Sequence, residues 1–474
     1  MLAAALLSAV VVSIPHTGLA QAVDPPTLRL FAPNDSVKAI RYGRGPVWLY
    51  SGVFISSEGG PFELAVGRSS YTSPISATQV IRAEDSVQTR TVPPELLDGF
   101  NGLKDFLTIE ISNSAGDVIR SKTLTWCPNG YERQRVSDQG PSIPTYPSSC
   151  PYNPFTKGMP MGIDEDWAVN VFEMGGVSFR LREGSYQATV RISEPHRQFF
   201  EISPEDAADS MELVVKSRGR NCRRCGHHHR SPATAERTSG VPTMEDPDPS
   251  ILPDLLPLPS WDIAVEERKK GTFLNFAAAV WVGGASSMVV EGFRRSNEEV
   301  MDAYQYFYQD GRPVGRAPVG EMEYDDRRGH RHWHFRQFVA YRLLDGTQTE
   351  VVRSTKEAFC LVPTDALDLL MPGAVLNPES TGLHTSCGSP DSIWIRETLP
   401  LGWGDTYHQS IPGQSFDISD LPNGRYYIEI EANPDHNLHE QDLGNNSELR
   451  EITIRGKKGA RWVEVPAWNG IETG

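Results

Sequence analysis

Long hydrophobic runs are scarce in this sequence. Apart from the apolar stretch 2–14, no segment approaches the roughly 20 apolar residues that a membrane-spanning helix needs. That stretch is followed by the small-residue pattern Ala20-Gln21-Ala22, which is typical of a signal peptide cut after Ala22. We therefore expect residues 1–22 to direct secretion and the mature protein to have no membrane span. A buried N-terminal strand or a lipid-facing helix is the alternative interpretation.

Positive charge is also in short supply. The chain has 45 Lys and Arg residues against 61 Asp and Glu residues, a formal net charge of −16. Phosphate binding needs concentrated basic side chains, so a nucleic-acid partner is not expected. An acidic enzyme would steer lysine-rich or polyamine substrates towards itself, although the same charge serves equally well to keep a secreted protein soluble.

Cysteine is sparse, with six residues in 474. They fall as three sequence-local pairs: Cys127 with Cys150, Cys222 with Cys225, and Cys360 with Cys387. An even number of cysteines in a secreted chain favours disulfides, but the sequence alone leaves the connectivity open.

Short apolar and alternating segments, separated by Gly, Pro, Asn and Asp, fill most of the chain and predict an all-β fold. They occupy 27–126 and 167–215, where we expect an N-terminal β-sandwich-like module over 23–216. The stretch 217–249 has no apolar periodicity and is predicted to be a linker. The β pattern returns in a second β-sandwich domain, 250–465, and 466–474 form a tail.

The strongest chemical signal is the alternation of His330, His332 and His334. Neutral imidazoles suit Cu, Zn, Ni and Fe. Alternate residues of a strand share one face, so two of these rings converge readily on one ion, and the third requires a local bend. The pattern favours a metal site without identifying the metal. A polar strand face, with histidines paired to carboxylates or water, is the alternative.

Two further clusters contain groups that bind metals. The first is Cys222, Cys225 and the histidines 227–229, which we interpret as a local disulfide or an adventitious metal contact within the linker. The second is a short loop with hard oxygen ligands of the kind that calcium accepts, although such loops are often only turns. Its residues are Glu440, Asp442, Asn445 and Asn446.

The order of several motifs resembles the catalytic domain of the lysyl oxidase family over about residues 252–454. They are 330–345, the Lys-Glu-Ala-Phe-Cys-Leu segment at 356–361, Gly-Asp-Thr-Tyr at 404–407, Phe-Asp-Ile at 416–418, Asn-Pro at 433–434, and the acidic loop 440–446. The resemblance implies a secreted oxidoreductase that converts primary amines, of peptidyl lysine or of a polyamine-like molecule, to aldehydes. Molecular oxygen is consumed, and hydrogen peroxide and ammonia are released.

The resemblance also assigns individual residues. It makes His330, His332 and His334 copper ligands, and it makes Lys356 and Tyr407 the precursors of a cross-linked lysine tyrosylquinone cofactor. It further implies a calcium site formed by Glu440, Asp442, Asn445 and Asn446, with Asp254 and the backbone of Leu255 as additional ligands.

The implied chemistry makes demands on two further groups. The amine of Lys356 must be neutral to add to the tyrosine ring, so its pKa, about 10.4 in a free side chain, must be lowered by burial or by the copper charge. Asp405, two residues before Tyr407, is our candidate base, with His408 and Asp326 as alternatives. A turn carboxylate without a catalytic role is the simpler interpretation of Asp405.

Some features depart from the family and leave alternatives open. The animal enzymes are richer in cysteine and carry a Trp-rich segment with an additional His upstream of the histidine motif. A non-catalytic, extracellular metal-binding or wall-associated protein is the competing hypothesis. A third is a zinc hydrolase that uses Glu321 or Glu323 as its base.

Overall fold

The computed structural model describes residues 24–50, 52–83, 86–172, 176–218, 238, 240–295, 298–327, 331–354, 356 and 358–473. The predicted signal peptide, the cluster at 222–229 and His330 lie outside these residues. Among those described, no helix has the length and apolar character needed to cross a membrane.

Fifteen strands form the described part of the N-terminal half. They are β1 (Thr27–Phe31), β2 (Ser36–Tyr42), β3 (Val47–Leu49), β4 (Phe54–Glu58), β5 (Phe62–Gly67), β6 (Ser76–Ala83), β7 (Ser86–Thr91), β8 (Leu103–Ser112), β9 (Val118–Trp126), β10 (Arg133–Arg135), β11 (Gly158–Ile163), β12 (Trp167–Asn170), β13 (Val177–Phe179), β14 (Gly184–Ile192) and β15 (Ala208–Arg218). A short helix α1 (Glu194–Phe199) and two 3-10 turns, Pro94–Leu96 and Gly99–Asn101, complete it.

The described strands of this half pair into four sheets, in the orders β1-β4-β12-β10, β11-β5-β6-β7, β13-β3 and β2-β15-β14-β8-β9. Pairing is antiparallel except between β2 and β15. Alternating side chains of β8 and β14 are buried, because successive residues of a strand point to opposite faces of its sheet. The buried faces meet in one hydrophobic core.

Among the described residues of the C-terminal half, there are seventeen strands. They are β16 (Pro253–Pro257), β17 (Trp261–Arg268), β18 (Gly271–Gly284), β19 (Met288–Phe293), β20 (Val300–Gln309), β21 (Arg312–Asp325), β22 (His332–Arg336), β23 (Val339–Asp345), β24 (Glu350–Arg353), β25 (Ala358–Phe359), β26 (Asp365–Ala366), β27 (Trp394–Leu399), β28 (Trp403–Tyr407), β29 (Ser415–Asp417), β30 (Gly424–Ala432), β31 (Ser447–Lys457) and β32 (Ala460–Glu464). Three 3-10 turns cover Pro249–Ile251, Pro378–Thr381 and Leu443–Asn445.

Three sheets organise the described part of this half. One has the order β16-β18-β28-β26 with β17 and β29 also paired to β18, the second β25-β22-β21-β20-β19-β27, and the third β24-β23-β30-β31-β32. The long strand β18 is buried on both faces, as expected from its nearly continuous apolar run. Strands β30 and β31 instead alternate buried and more exposed residues. The all-β class predicted from the sequence is confirmed.

The two halves pack against each other through the segments 153–158 and 365–370. Phe155 joins a core cluster with Trp261 and Leu367. The backbone N–H of Lys157 donates to the Leu367 carbonyl at 2.6 Å, and the Thr156 hydroxyl donates to the Ala366 carbonyl at 3.1 Å. The predicted domain division at 217–249 stays a prediction, since much of that segment lies outside the described residues.

Two of the three sequence-local cysteine pairs are disulfides in the structure, Cys127–Cys150 and Cys360–Cys387. The first closes the Pro- and Ser-rich loop that follows β9. The second joins the chain just after β25 to the loop before β27, beside the candidate site.

Candidate active site

A cavity of about 430 Å³ opens where β22, the segment 356–364 and the end of β28 meet. Most of the surface exposed in its wall is apolar, although most of the lining residues carry a polar or ionisable group. Its lining residues are His332, His334, Lys356, Cys360, Val362, Thr364, Asp405, Thr406, Tyr407, Ser410, Ile411 and Pro412. A concave, mostly apolar pocket with a few converging polar groups is the usual form of a ligand site.

Two of the three predicted metal ligands lie side by side on this wall. His332 and His334 occupy alternate positions of β22, and their ring centroids are 4.7 Å apart. The third, His330, lies outside the described residues. Arg331, which separates it from His332, has a φ of +58°, a left-handed conformation that bends the chain at the point where the sequence analysis required a bend.

The carboxylate of Asp325 lies behind the histidine pair. Its Oδ2 atom is 3.7 Å from Nδ1 of His334, and Arg327 donates to both of its oxygens, from Nε at 2.9 Å to Oδ1 and from Nη2 at 2.5 Å to Oδ2. Strand pairing fixes this arrangement, because Asp325 is opposite His332 in the β21–β22 register. A carboxylate beside an imidazole orients the ring and sets which nitrogen faces a metal.

Lys356 is buried between aromatic rings. Only 6% of the residue is exposed, and its Nζ atom lies 4.6 Å from the ring centroids of both Phe359 and Tyr407. Burial lowers the pKa of the Lys356 amine to about 8, although the charge of Asp405 acts in the opposite direction. The lowering that the sequence analysis required is therefore present, and burial is its main cause.

Tyr407 ends β28, where it pairs with Ala278 of the central strand β18. Its hydroxyl donates to the backbone carbonyl of Cys360 at 3.1 Å, and its ring meets the edge of Phe359 at a centroid distance of 4.9 Å. Burial raises the pKa of the Tyr407 phenol well above its usual value. The phenol is therefore neutral in the absence of a metal.

Asp405 also lines the cavity and is 4% exposed. Its Oδ2 atom is buried and has no hydrogen-bond partner among the described residues. Burial raises the pKa of this carboxyl well above its usual range, while interaction with the Tyr407 hydroxyl lowers it. The alternatives His408 and Asp326 are exposed, and neither lines the cavity. Asp405 as the catalytic base stays a prediction.

Sequence reasoning did not single out two neighbours of Lys356. Phe359 lies inside the motif 356–361, but nothing in its spacing showed that its ring would pack against both Lys356 and Tyr407. Gly413 has a φ of +92°, and a Cβ built there would be 2.8 Å from Cβ of Lys356. Only the folded chain brings this glycine against the lysine side chain.

The predicted calcium ligands come together from two distant parts of the chain. Asp254 of β16 accepts hydrogen bonds from the backbone N–H of Asp442 at 3.2 Å and from Nδ2 of Asn445 at 2.9 Å. The Oδ1 atoms of Asn445 and Asn446 are buried and have no hydrogen-bond partner among the described residues. Carboxylates together with such amide oxygens form a ligand set that calcium accepts.

Glu440 has a different place in this cluster. It is 8% exposed, and its Oε1 atom accepts hydrogen bonds from Nδ2 of Asn433 at 2.6 Å and from Nδ2 of Asn446 at 2.7 Å. Its Oε2 atom accepts the backbone N–H of Leu255 at 3.0 Å. Three donors thus hold the carboxylate, which fastens the loop to β16.

The glutamates considered for a zinc hydrolase point elsewhere. Glu321 and Glu323 both form ion pairs with Arg336, at 2.9 Å and 3.4 Å, and neither lines the cavity. The geometry therefore gives no support to either as a base acting within this pocket.

Comparison with known proteins matches residues 304–463 to the lysyl oxidase family model. The chain is 27% identical to lysyl oxidase homolog 4 of Mus musculus over 140 residues, which are 29% of this chain and 16% of that protein. It is 26% identical to lysyl oxidase homolog 2 of Gallus gallus over 163 residues, 34% of this chain and 18% of the relative.

Protein-lysine 6-oxidase of Sus scrofa is 30% identical over 129 residues, covering 27% of this chain and 45% of the relative. The chain thus spans less than half the length of each of these three relatives. The matched segment contains Lys356, Tyr407, both described histidines and the loop 440–446. Residues 304–463 are accordingly a lysyl oxidase family domain, as the order of the sequence motifs predicted.

Proposed function

We propose that this protein is a secreted, copper-dependent amine oxidase that forms a lysine tyrosylquinone cofactor from Lys356 and Tyr407. The observation that carries the proposal is the position of the Lys356 amine, 4.6 Å from the Tyr407 ring centroid in a cavity whose wall also holds His332 and His334. Cross-linking requires the lysine amine to be near the tyrosine ring, and the 4.6 Å separation supports such a reaction.

The donor set of the cavity suits copper. Two imidazoles with ring centroids 4.7 Å apart face one space, a third histidine precedes them in the chain beyond a bend, and Asp325 lies behind the pair. Imidazole is a good ligand for copper, and a site with three imidazole ligands leaves coordination positions of the ion open. When bound, copper would supply the redox chemistry that converts the Tyr407 ring to a quinone.

The residues of the chain prepare the lysine and the tyrosine for that step. Burial keeps a substantial fraction of the Lys356 amine neutral near pH 8, and only the neutral amine is a nucleophile. The Cys360 carbonyl holds the Tyr407 hydroxyl, and Phe359 packs edge-on against the ring. Asp405 would hold a proton beside the phenol and exchange it with the reacting groups.

The cavity suits a primary amine at the end of an apolar stem. Val362, Ile411 and Pro412 offer apolar surface to methylene groups, and Asp405 offers an oxygen to an incoming nitrogen. We infer that a peptidyl lysine or a polyamine-like amine is oxidised to an aldehyde, with oxygen as acceptor and hydrogen peroxide and ammonia as products. The cluster at Asp254 would hold a structural calcium ion.

Visible absorption of copper-loaded, aerobically matured protein tests the proposal. A quinone band that phenylhydrazine shifts is expected in the wild type and is absent in Lys356→Met and Tyr407→Phe. Lys122→Met and Tyr426→Phe, which lie outside the cavity, are matched controls and retain the band. If the copper-loaded wild type lacks the band, the non-catalytic metal-binding hypothesis replaces the oxidase.

A further inference from the structure

Glu397 is a fully buried glutamate of β27, with 0% of its surface exposed. It precedes the candidate cofactor tyrosine by ten residues and does not line the cavity. A buried carboxyl carries a large desolvation cost unless its hydrogen bonds are made, so its contacts indicate why the fold retains it.

The carboxyl of Glu397 connects two segments of the candidate site. Its Oε2 atom accepts the backbone N–H of Leu361 at 3.1 Å. The backbone N–H of Phe335 is near enough to lower the pKa of the carboxyl, whose Oε1 atom is buried without a hydrogen-bond partner among the described residues. Leu361 follows Cys360, whose carbonyl holds the Tyr407 hydroxyl. Phe335 follows His334 on the histidine strand. The Glu397 side chain therefore contacts the backbone next to Cys360, which holds the Tyr407 hydroxyl, and next to the candidate copper ligand His334.

The disulfide Cys360–Cys387 packs against the same carboxyl. A carboxyl oxygen of Glu397 and the two sulfurs lie within 4.8 Å of one another. Because the sulfurs are bonded to each other, they do not offer thiolates to a metal. The cluster of Glu397 and the disulfide therefore connects neighbouring segments of the main chain. Burial raises the pKa of Glu397 well above its usual range, which favours the neutral form of the carboxyl, and glutamine is the closest neutral mimic of that form.

We propose that Glu397 is a positioning residue of the cofactor site. Its carboxyl fixes the backbone at Leu361 and Phe335, and it thereby sets the position of the Cys360 carbonyl, which accepts the Tyr407 hydroxyl, relative to the histidine strand β22. The inference rests on the proposed oxidase function for its effect on the cofactor. Its structural part is independent of that function and can be measured in the metal-free protein.

Three substitutions of Glu397 separate the effect of side-chain length from the effect of charge. Glu397→Gln keeps an acceptor oxygen at the same distance and is uncharged. Glu397→Asp keeps the carboxyl but is one methylene too short to reach Leu361. Glu397→Met keeps the volume and removes the oxygen that accepts the Leu361 N–H. Glu63→Gln is the matched control, since Glu63 is also a buried glutamate with hydrogen-bond donors, Arg82 and Tyr146, but lies on β5 of the N-terminal half.

The first measurement is amide hydrogen exchange of metal-free protein. Loss of the acceptor leaves buried N–H groups unsatisfied, so Glu397→Met and Glu397→Asp raise exchange at 333–336 and 358–364 by about tenfold or more, and Glu397→Gln by less than about threefold. The control variant leaves hydrogen exchange in these two segments unchanged. Equal exchange in wild type and Glu397→Asp overturns the inference, whatever the protein catalyses. If Glu397→Met does not fold, the Asp and Gln variants decide alone.

The second measurement is the rate of quinone formation per bound copper in the folded fraction. We expect about a tenfold loss in Glu397→Asp and retention within about threefold in Glu397→Gln. A merely stabilising role would lower the folded fraction and leave this ratio unchanged, which would overturn the positioning role. A wild type that forms no quinone refutes the proposed function. The hydrogen-exchange measurement then still tests whether Glu397 fixes the backbone of the two segments.

Discussion

The Nζ atom of Lys356 lies 4.6 Å from the centroid of the Tyr407 ring. Tyr407 is the last residue of β28 and is held by its pairing with β18. Lys356 lies two residues before the start of β25, a strand of another sheet, which pairs with the histidine strand β22. The contact therefore exists before any metal or cross-link is present. A preorganised pair of this kind needs little rearrangement when the ring is activated.

Gly413 should be needed to keep Lys356 in place. Gly413→Ala puts a methyl group against the Lys356 stem, at 2.8 Å from its Cβ, and also strains a φ of +92°. We expect a loss of about 1–3 kcal/mol in the free energy of unfolding and at least about a tenfold slower quinone formation. Gly382→Ala is the control, because Gly382 has a φ of +70° with nothing near its Cβ position. Equal rates of quinone formation in the two variants would contradict this role.

The protonation of Lys356 should follow its lowered pKa. The group is a base whose charged form is disfavoured by burial, so the neutral fraction rises with pH, from roughly a tenth at pH 7 to roughly nine tenths at pH 9. Competitive acylation of metal-free protein, read by mass spectrometry at Lys356, should therefore have a midpoint near pH 8. An ordinary exposed lysine has its midpoint near about pH 10.4. A midpoint for Lys356 at the ordinary value would show that burial does not lower its pKa.

Asp325 should contribute to copper affinity without being a ligand. Asp325→Asn removes the negative charge 3.7 Å from Nδ1 of His334, and such a change typically weakens metal binding about 10- to 100-fold. Copper affinity is measured by competition with a chromophoric chelator. Glu321 lies on the same strand as Asp325 and is paired to Arg336. Glu321→Gln should therefore leave the copper affinity within about twofold. Parallel losses in both variants would indicate a general charge effect.

Calcium should stabilise the protein through Asp254. At a concentration 100 times the dissociation constant, a single site adds about 2.7 kcal/mol, which raises the unfolding temperature measurably. Asp254→Asn removes a carboxylate that faces Asp442 and Asn445, and we expect the calcium-dependent increase to disappear. Asp417→Asn, a turn carboxylate that accepts from Ser419, is the control and keeps the increase. A calcium effect that survives Asp254→Asn would place the ion elsewhere.

Much of the fold could be predicted because strand signals are local. The apolar run at 273–281 lies within β18, and the segment 426–432 lies within β30. The stretch 47–55 reads as one strand, but the structure divides it into β3 and β4. Pairing partners decide where a strand ends, and those partners are distant in the sequence.

The sequence by itself determined the all-β class, the lysyl oxidase motifs and the identity of the residues that the site would use, since these depend on residue type and order. Only the tertiary structure decided which residues meet. It placed Phe359 and Gly413 around Lys356, brought Asp254 to the loop 440–446, and buried Glu397 against the backbone of Leu361. Such contacts join residues far apart in the chain, and the lowered pKa of Lys356 follows from the desolvation that this packing creates.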